Sequence, residues 1–229
     1  ILVPNLDTIR NDAMLETLLK HGHHVMFGGD TGTGKSASVK KKLLEGMPEE
    51  FQSIFVNFSA ARKAGAVMNL IDSKLVKRRK GFFGAPPGKT AVIFVDDLNM
   101  PAKEEFGAQP PIEILRQWMD HKSWWDLKEF TLRNFLDVQM VTAMGPPGGG
   151  RNHITQRFIR HFNLIYMVPF SDDALDTVFS SILQWSLGGF RVIIKKTAAP
   201  TIAASIALYH RISAELLPTP AKSHYTFNL

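Results

Sequence analysis

The sequence predicts an α/β fold: a parallel sheet flanked by helices on both faces, followed by a small helical subdomain. Two observations carry that prediction. Short apolar runs rich in β-branched and aromatic residues recur at 25–28, 54–58, 92–95, 138–143 and 164–168, as strands covered on both faces do, and helix-like stretches separate most of them. After Pro169 the pattern turns wholly helical, through 172–185 and 201–216, with Gly188-Gly189 between. The expected division is 1–170 for the α/β part and 171–229 for a helical part that is incomplete. A chain of 229 residues buries roughly 70–75% of its unfolded surface, so no staple is needed to fold it.

Helical periodicity at 12–20, 35–44, 64–76, 112–121 and 154–160 fills the crossover positions between the strands. Between the fourth helix and the fourth strand lies the aromatic stretch Trp124-Trp125-Asp126-Leu127-Lys128-Glu129-Phe130, read as a hairpin insertion. The runs Lys40-Lys41-Lys42 and Lys77-Arg78-Arg79-Lys80 supply much of the +6 charge and read as solvated helix surface. That charge suits phosphates, nucleic acid or an acidic partner, and it speaks to association rather than fold.

The absence of cysteine excludes disulfides and thiolate metal sites and fits a reducing compartment. No uninterrupted apolar run approaches the roughly 18–20 residues that span a bilayer, and Ile1-Leu2-Val3-Pro4 lacks a signal-peptide layout. The expectation is a cytoplasmic chain with no membrane partner. Its ends read as cuts in a longer polypeptide. His21, His23 and His24 suggest a metal cluster, but adjacent strand residues point to opposite faces, and core or surface histidines are the simpler reading. Met100, Met119 and Met140 read as core filler.

The chemistry lies in Gly29-Asp30-Thr31-Gly32-Thr33-Gly34-Lys35-Ser36, which matches G-x-x-x-x-G-K-[ST] between an expected strand and an expected helix. Glycines let the backbone turn its N–H groups toward phosphates, and the helix N-terminus adds favourable potential for anions. The expected phosphate-binding stretch runs from Gly29 through Ala37, with Lys35 reaching the β- and γ-phosphates and Ser36 the Mg²⁺. In Val92-Ile93-Phe94-Val95-Asp96-Asp97 a buried strand delivers two carboxylates, as a Walker B motif does. Asp96 is expected to hold Mg²⁺ through water and Asp97 to serve as general base or water-positioning residue; a turn or helix cap is the alternative for Asp97. No asparagine is followed by lysine, so the guanine-reading N-K-x-D is absent and ATP or ADP is favoured over GTP.

Three further strings, Val95-Asp96-Asp97-Leu98-Asn99-Met100-Pro101-Ala102-Lys103, Gly107-Ala108-Gln109-Pro110-Pro111-Ile112-Glu113 and Met144-Gly145-Pro146-Pro147-Gly148-Gly149-Gly150-Arg151-Asn152, resemble axonemal dynein heavy chains. With Arg157-Phe158-Ile159-Arg160-His161-Phe162 they are similar to the third AAA+ module of the motor ring, over nearly the whole chain. The resemblance implies a ring of linked AAA+ modules, a regulatory role for the third, and a location in the cytoskeleton and the axoneme of a cilium or flagellum. Its implied partners are neighbouring modules of the same heavy chain and, through the full-length protein, dynein intermediate and light chains and microtubules. It further implies that Val3, Pro4, Asp7 and Thr8 lie beside the adenine, and that Arg157, or failing it Arg160, completes the site of a neighbouring module. Such arginines contribute about 10³–10⁵ in rate; a helix-end arginine capping carbonyls is the alternative.

Two departures point to slow hydrolysis. Most active AAA+ sites have Glu where this chain has Asp97, and a misplacement of about 1 Å can cost roughly 10²-fold in rate. The sensor position after the fourth strand, commonly a polar Asn, aligns with Gly145. A sensor arginine is expected just beyond Phe227-Asn228-Leu229. The rival readings are a structural ring module that holds nucleotide without cycling and an AAA+ ATPase acting on nucleic acid, the latter using the basic runs and a Trp124-Trp125 stacking platform.

Overall fold

The computed structural model describes residues 3–127 and 129–217. The chain opens with α1 (Leu6–Lys20), β1 (His24–Gly29), α2 (Lys35–Glu45), β2 (Phe51–Asn57) and α3 (Ala64–Asp72). Next come β3 (Val76–Arg79), β4 (Phe82–Gly84), β5 (Thr90–Asp96), α4 (Pro110–His121), β6 (Ser123–Trp125) and β7 (Leu132–Leu136). The remainder is β8 (Val138–Met144), α5 (Gln156–Ile159), β9 (Phe162–Met167), α6 (Asp172–Ser186), α7 (Val192–Lys195) and α8 (Ala198–Glu215).

Five strands form one sheet in the order β2-β5-β8-β1-β9, and every neighbouring pair is parallel. Alternate side chains feed two apolar layers. Val25, Phe27, Val92, Phe94, Val141 and Ala143 pack with Leu15 and Leu19 of α1 and Val39 and Leu43 of α2. Met26, Ile54, Val56, Ile93, Val95 and Met140 pack with Val67, Met68 and Ile71 of α3 and Ile112, Leu115 and Trp118 of α4. Covering on both faces is why the central strands β1, β5 and β8 read as continuous apolar runs, whereas the edge strand β9, expected to be covered likewise, leaves Leu164 and Tyr166 exposed. The expected α/β class is what the chain adopts.

A second sheet, in the order β3-β4-β7-β6, was only partly foreseen. The aromatic insertion is a hairpin, β6 against β7, in which Trp124 is buried edge-on against Phe135 at 4.6 Å. The helix expected over 64–76 ends at Asp72. Ser73 closes it through Oγ, which donates to the Leu70 carbonyl at 2.7 Å, and β3 begins at Val76. Lys77–Lys80 therefore lies on a strand and its turn rather than on a helix; Arg79 stacks over the Phe82 ring at 4.0 Å across the β3–β4 pair. The helix expected over 154–160 is the single turn α5, and α1 starts six residues earlier than periodicity suggested, at Leu6 instead of Asp12.

By contact density the chain forms two compact units. Among the described residues, one holds Asp12–Asp30 and Lys35–Met167, including the parallel sheet; the other gathers 3–11, Thr31–Gly34 and 168–217. In the latter, α6 packs on α8 around Leu175, Ala198 and Ile202, Ser171 caps α6 by accepting from the Ala174 N–H at 3.3 Å, and His210 Nε2 meets Asp172 Oδ1 at 2.7 Å. The stretch Val192–Glu215 reaches a mean hydropathy of 1.2 over an 18-residue window, long and apolar enough to cross a membrane by length and composition. Lys195 and Lys196 interrupt it between α7 and α8, so it is not an uninterrupted apolar run. Phe227–Leu229 lies outside the described residues.

Candidate functional site

β1 delivers the chain to the phosphate motif at its C-terminal edge. A Cβ on Gly29 would lie 2.4 Å from the Met167 carbonyl oxygen on β9, and φ there is +148°, so glycine alone permits both the pairing and the exit from the sheet. Helix α2 then starts at Lys35 with no acidic residue in its first turn, which leaves the positive end of its dipole available to an anion. Lys35 Nζ is folded back, donating to the carbonyls of Gly29 at 2.8 Å and Asp30 at 2.5 Å. Burial, and next the charge of Arg151, hold the Lys35 amine below its ordinary range, while Asp30, Asp96 and Asp97 pull the other way.

Asp96 is the last residue of β5, in register with Asn57 of β2. Ser36 Oγ donates to its Oδ1 at 2.6 Å, and Lys40 Nζ donates to its Oδ2 at 2.9 Å. The two residues expected to share a metal are thus in direct contact. Lys40, read from the sequence as part of a solvated run, instead pairs with the carboxylate at the centre of the site, and Lys42 pairs with Glu16 at 2.6 Å. Asp97 turns into the left-handed region at φ 51°, a conformation Asp tolerates better than most residues, and its half-exposed carboxylate faces Arg151 Nη2 at 3.9 Å.

The loop after β8 is laced to the loop after Asp97. Leu98 N–H donates to the Ala143 carbonyl at 3.0 Å, Asn99 Nδ2 to the Gly145 carbonyl at 2.8 Å, and Asn152 N–H back to the Asn99 carbonyl at 2.8 Å. Gly148 and Arg151 exchange backbone hydrogen bonds at 2.9 and 3.0 Å, folding the glycine run back on itself. Arg151 is brought against Gly145 in this way, and sequence reasoning gave it no role. The available signal was the run of three glycines before it, which can reverse the chain.

The remaining expected residues are placed as follows. Asn5 and Thr8 form a reciprocal cap on α1: the Thr8 N–H donates to Asn5 Oδ1 and the Asn5 N–H to Thr8 Oγ1, both at 2.8 Å. Thr8 is buried, Asp7 meets Arg10 at 3.6 Å, Val3 is half-buried and Pro4 is exposed. Arg157 is exposed on α5 and forms no ion pair or side-chain hydrogen bond among the described residues. Arg160 is held in cis, its Nη2 donating to Asp120 Oδ1 at 2.6 Å beside His161 at 2.8 Å.

A parallel sheet with a phosphate-type loop after β1 and an acidic β5 terminus is shared by many nucleotide-binding families. What narrows the choice is a family model, described as the P-loop containing dynein motor region, that matches residues 1–170. The chain belongs to that dynein family. It is 50% identical over 230 residues to dynein axonemal heavy chain 3 of Mus musculus and 49% to that of Homo sapiens, covering all of this chain and 6% of either relative. It is 47% identical over 232 residues to dynein axonemal heavy chain 12 of Rattus norvegicus, again over the whole chain and 8% of the relative. This dynein motor-region chain therefore corresponds to a small part of the length of the heavy chains it matches.

Proposed function

We propose that this dynein motor-region chain binds Mg-ATP at Gly29–Ala37 and hydrolyses it slowly, acting as a nucleotide-dependent regulator of a motor ring. The observation that carries the reading is the contact of Ser36 Oγ with Asp96 Oδ1 at 2.6 Å, directly after the expected phosphate loop. A hydroxyl and a carboxylate at one point form the hard oxygen donor set that suits Mg²⁺. That ion, when bound, supplies charge neutralisation between the β- and γ-phosphates. Lys35, at the start of α2, would leave its loop carbonyls for phosphate oxygens, and Asp97 would orient the attacking water.

Two features support slow turnover: Asp97 is one methylene shorter than Glu, and Gly145 offers no side chain at the sensor position. On the family likeness, residues 1–170 form the large α/β subdomain, with Val3, Pro4, Asp7 and Thr8 on the adenine side, and 171–229 begin the helical subdomain. The chain is then the third module of an axonemal dynein heavy chain, working beside neighbouring modules on microtubules in a cilium or flagellum with intermediate and light chains. Arg157, exposed where Arg160 is occupied by Asp120, is the better candidate to reach a neighbour's nucleotide.

The test is a titration of fluorescent ATP and ADP, with and without Mg²⁺, into the chain and its Lys35→Ala variant while phosphate release is followed. Saturable Mg²⁺-dependent binding lost in the variant, with release well below one turnover per second, is the expected outcome. A folded chain that binds neither nucleotide would sink this reading and favour the structural ring module, which the same Asp97 and Gly145 also suit.

A further inference from the structure

Gly145 leaves open space at the end of β8, and that space is filled. A Cβ built on Gly145 would lie 2.9 Å from Arg151 Nε, 3.1 Å from its Cδ and 3.3 Å from its Cζ, so the guanidinium stem lies where the side chain of residue 145 would otherwise stand. A side chain at 145 would therefore require the arginine to shift from this position. The loop that carries Arg151 is pinned on both sides, by Asn99 to the Gly145 carbonyl and by Asn152 to the carbonyls of Asn99 and Pro101. Arg151 is thus held over the glycine by backbone geometry.

The head of the side chain faces the centre of the site. Nη2 stands 3.9 Å from Asp97 Oδ1, too long for a good hydrogen bond, and Nε is buried with no hydrogen-bond partner among the described residues. A buried guanidinium N–H left unpaired is costly, and its planar fork is suited to bidentate capture of a phosphate. The carboxylate that the guanidinium faces is Asp97, the residue that follows the last residue of β5.

We propose that Arg151 takes over the sensor role that Gly145 cannot perform: it binds the terminal phosphate of ATP and distinguishes ATP from ADP. This rests on the nucleotide-binding reading above. Glycine at 145 is then a specificity device rather than a sign of decay, since it vacates the volume the arginine needs. A sensor delivered from the loop also couples the phosphate to Asn99 and Asn152, and so to the loop that follows Asp97.

The test compares binding of ATPγS and of ADP, each with Mg²⁺, to four forms of the full chain: wild type, Arg151→Met, Gly145→Asn, and Gly145→Asn with Arg151→Ala. Arg151→Met should weaken ATPγS about tenfold or more and change ADP by less than about twofold, a split that a merely structural role would not produce. Gly145→Asn alone should mimic that loss by displacing the guanidinium, and the double variant, with an amide in the vacated space, should recover much of the preference for ATPγS. Unchanged ATPγS binding by Arg151→Met, or equal weakening of both nucleotides, overturns the assignment while leaving nucleotide binding intact. A wild-type chain that binds neither nucleotide overturns both readings together.

Discussion

Asp96 already has two partners that a divalent cation would have to share or displace. The Ser36 hydroxyl is itself an oxygen donor and can join the ion, whereas the Lys40 ammonium at 2.9 Å has no lone pair and must yield. On the proposed reading Lys40 would compete with Mg²⁺ for Asp96, and Lys40→Met should lower the Mg²⁺ concentration needed for half-maximal ATP binding by roughly 3- to 10-fold, about 1 kcal/mol. Lys40 is about a third exposed, so the same substitution should change folding stability by no more than about 1 kcal/mol. A Mg²⁺ titration at fixed ATP, paired with urea unfolding, reads both quantities; a Mg²⁺ requirement that rises in the variant would show Lys40 to be a phosphate ligand instead. Asp97 illustrates a different constraint at this scale. Its left-handed backbone at φ 51° favours Asp over the Glu usual at such sites, so the shorter carboxylate and the local conformation are consistent with one another.

His24, at the entrance to β1, ties that strand to its neighbours. Its Nδ1 accepts a hydrogen bond from the Met140 N–H of β8 at 3.0 Å, and its ring lies edge-on to Trp118 of α4 at 5.8 Å. An accepting Nδ1 puts the remaining proton of the neutral ring on Nε2, so Lys122 Nζ at 3.4 Å meets another donor there and adds repulsion rather than a bond. Burial, and then the positive charges of Lys122, His161 and His23, lower the imidazole from 6.5 to about 4. The folded-state value lies below the unfolded one, so this contribution is full above about pH 6.5 and is lost as the pH falls toward 4. The gap corresponds to a loss on the order of 3 kcal/mol. Urea unfolding at pH 7.5 and pH 4.5 should show a distinctly steeper loss in wild type than in His24→Gln; parallel losses would assign the acid sensitivity to the carboxylates. The histidine itself was visible in the sequence, but its ring contacts were not, because they come from α4 and β8. The same divide runs through the other elements. The central strands β1, β5 and β8 are legible because burial on both faces leaves a continuous apolar run, whereas β3 reads Val-Lys-Arg-Arg, exposed and without alternation, and carries no such signal. The phosphate loop is legible because its chemistry is contiguous. Lys40 was misread because its partner Asp96 lies 56 positions along the chain, and Arg151 was overlooked because the carboxylate it faces, Asp97, belongs to a different loop.

Over the whole molecule, anything that binds the folded chain and not the unfolded one raises stability by mass action. For one site at a ligand concentration of 100 times Kd the gain is about 2.7 kcal/mol. Each kcal/mol moves the melting temperature by roughly 2–4 °C in a chain of 150–250 residues, so saturating Mg-ATP should raise it by roughly 5–10 °C. Tryptophan fluorescence is a suitable probe, since Trp118, Trp124 and Trp125 of the four tryptophans belong to the unit that carries the parallel sheet. Because the chain forms two compact units, melting need not be a single transition, and the shift is expected in the one reported by those tryptophans. Lys35→Ala should abolish the shift with ATP and ADP alike, whereas Arg151→Met should shrink it for ATPγS and spare it for ADP. That contrast separates a loop that merely holds phosphate from a site that reads its number, which is what a regulatory module must do: a ligand moves a two-state equilibrium only through its differential affinity for the two states. Equal shifts with ATPγS and ADP in wild type and in Arg151→Met would leave a nucleotide-holding ring module and no sensor.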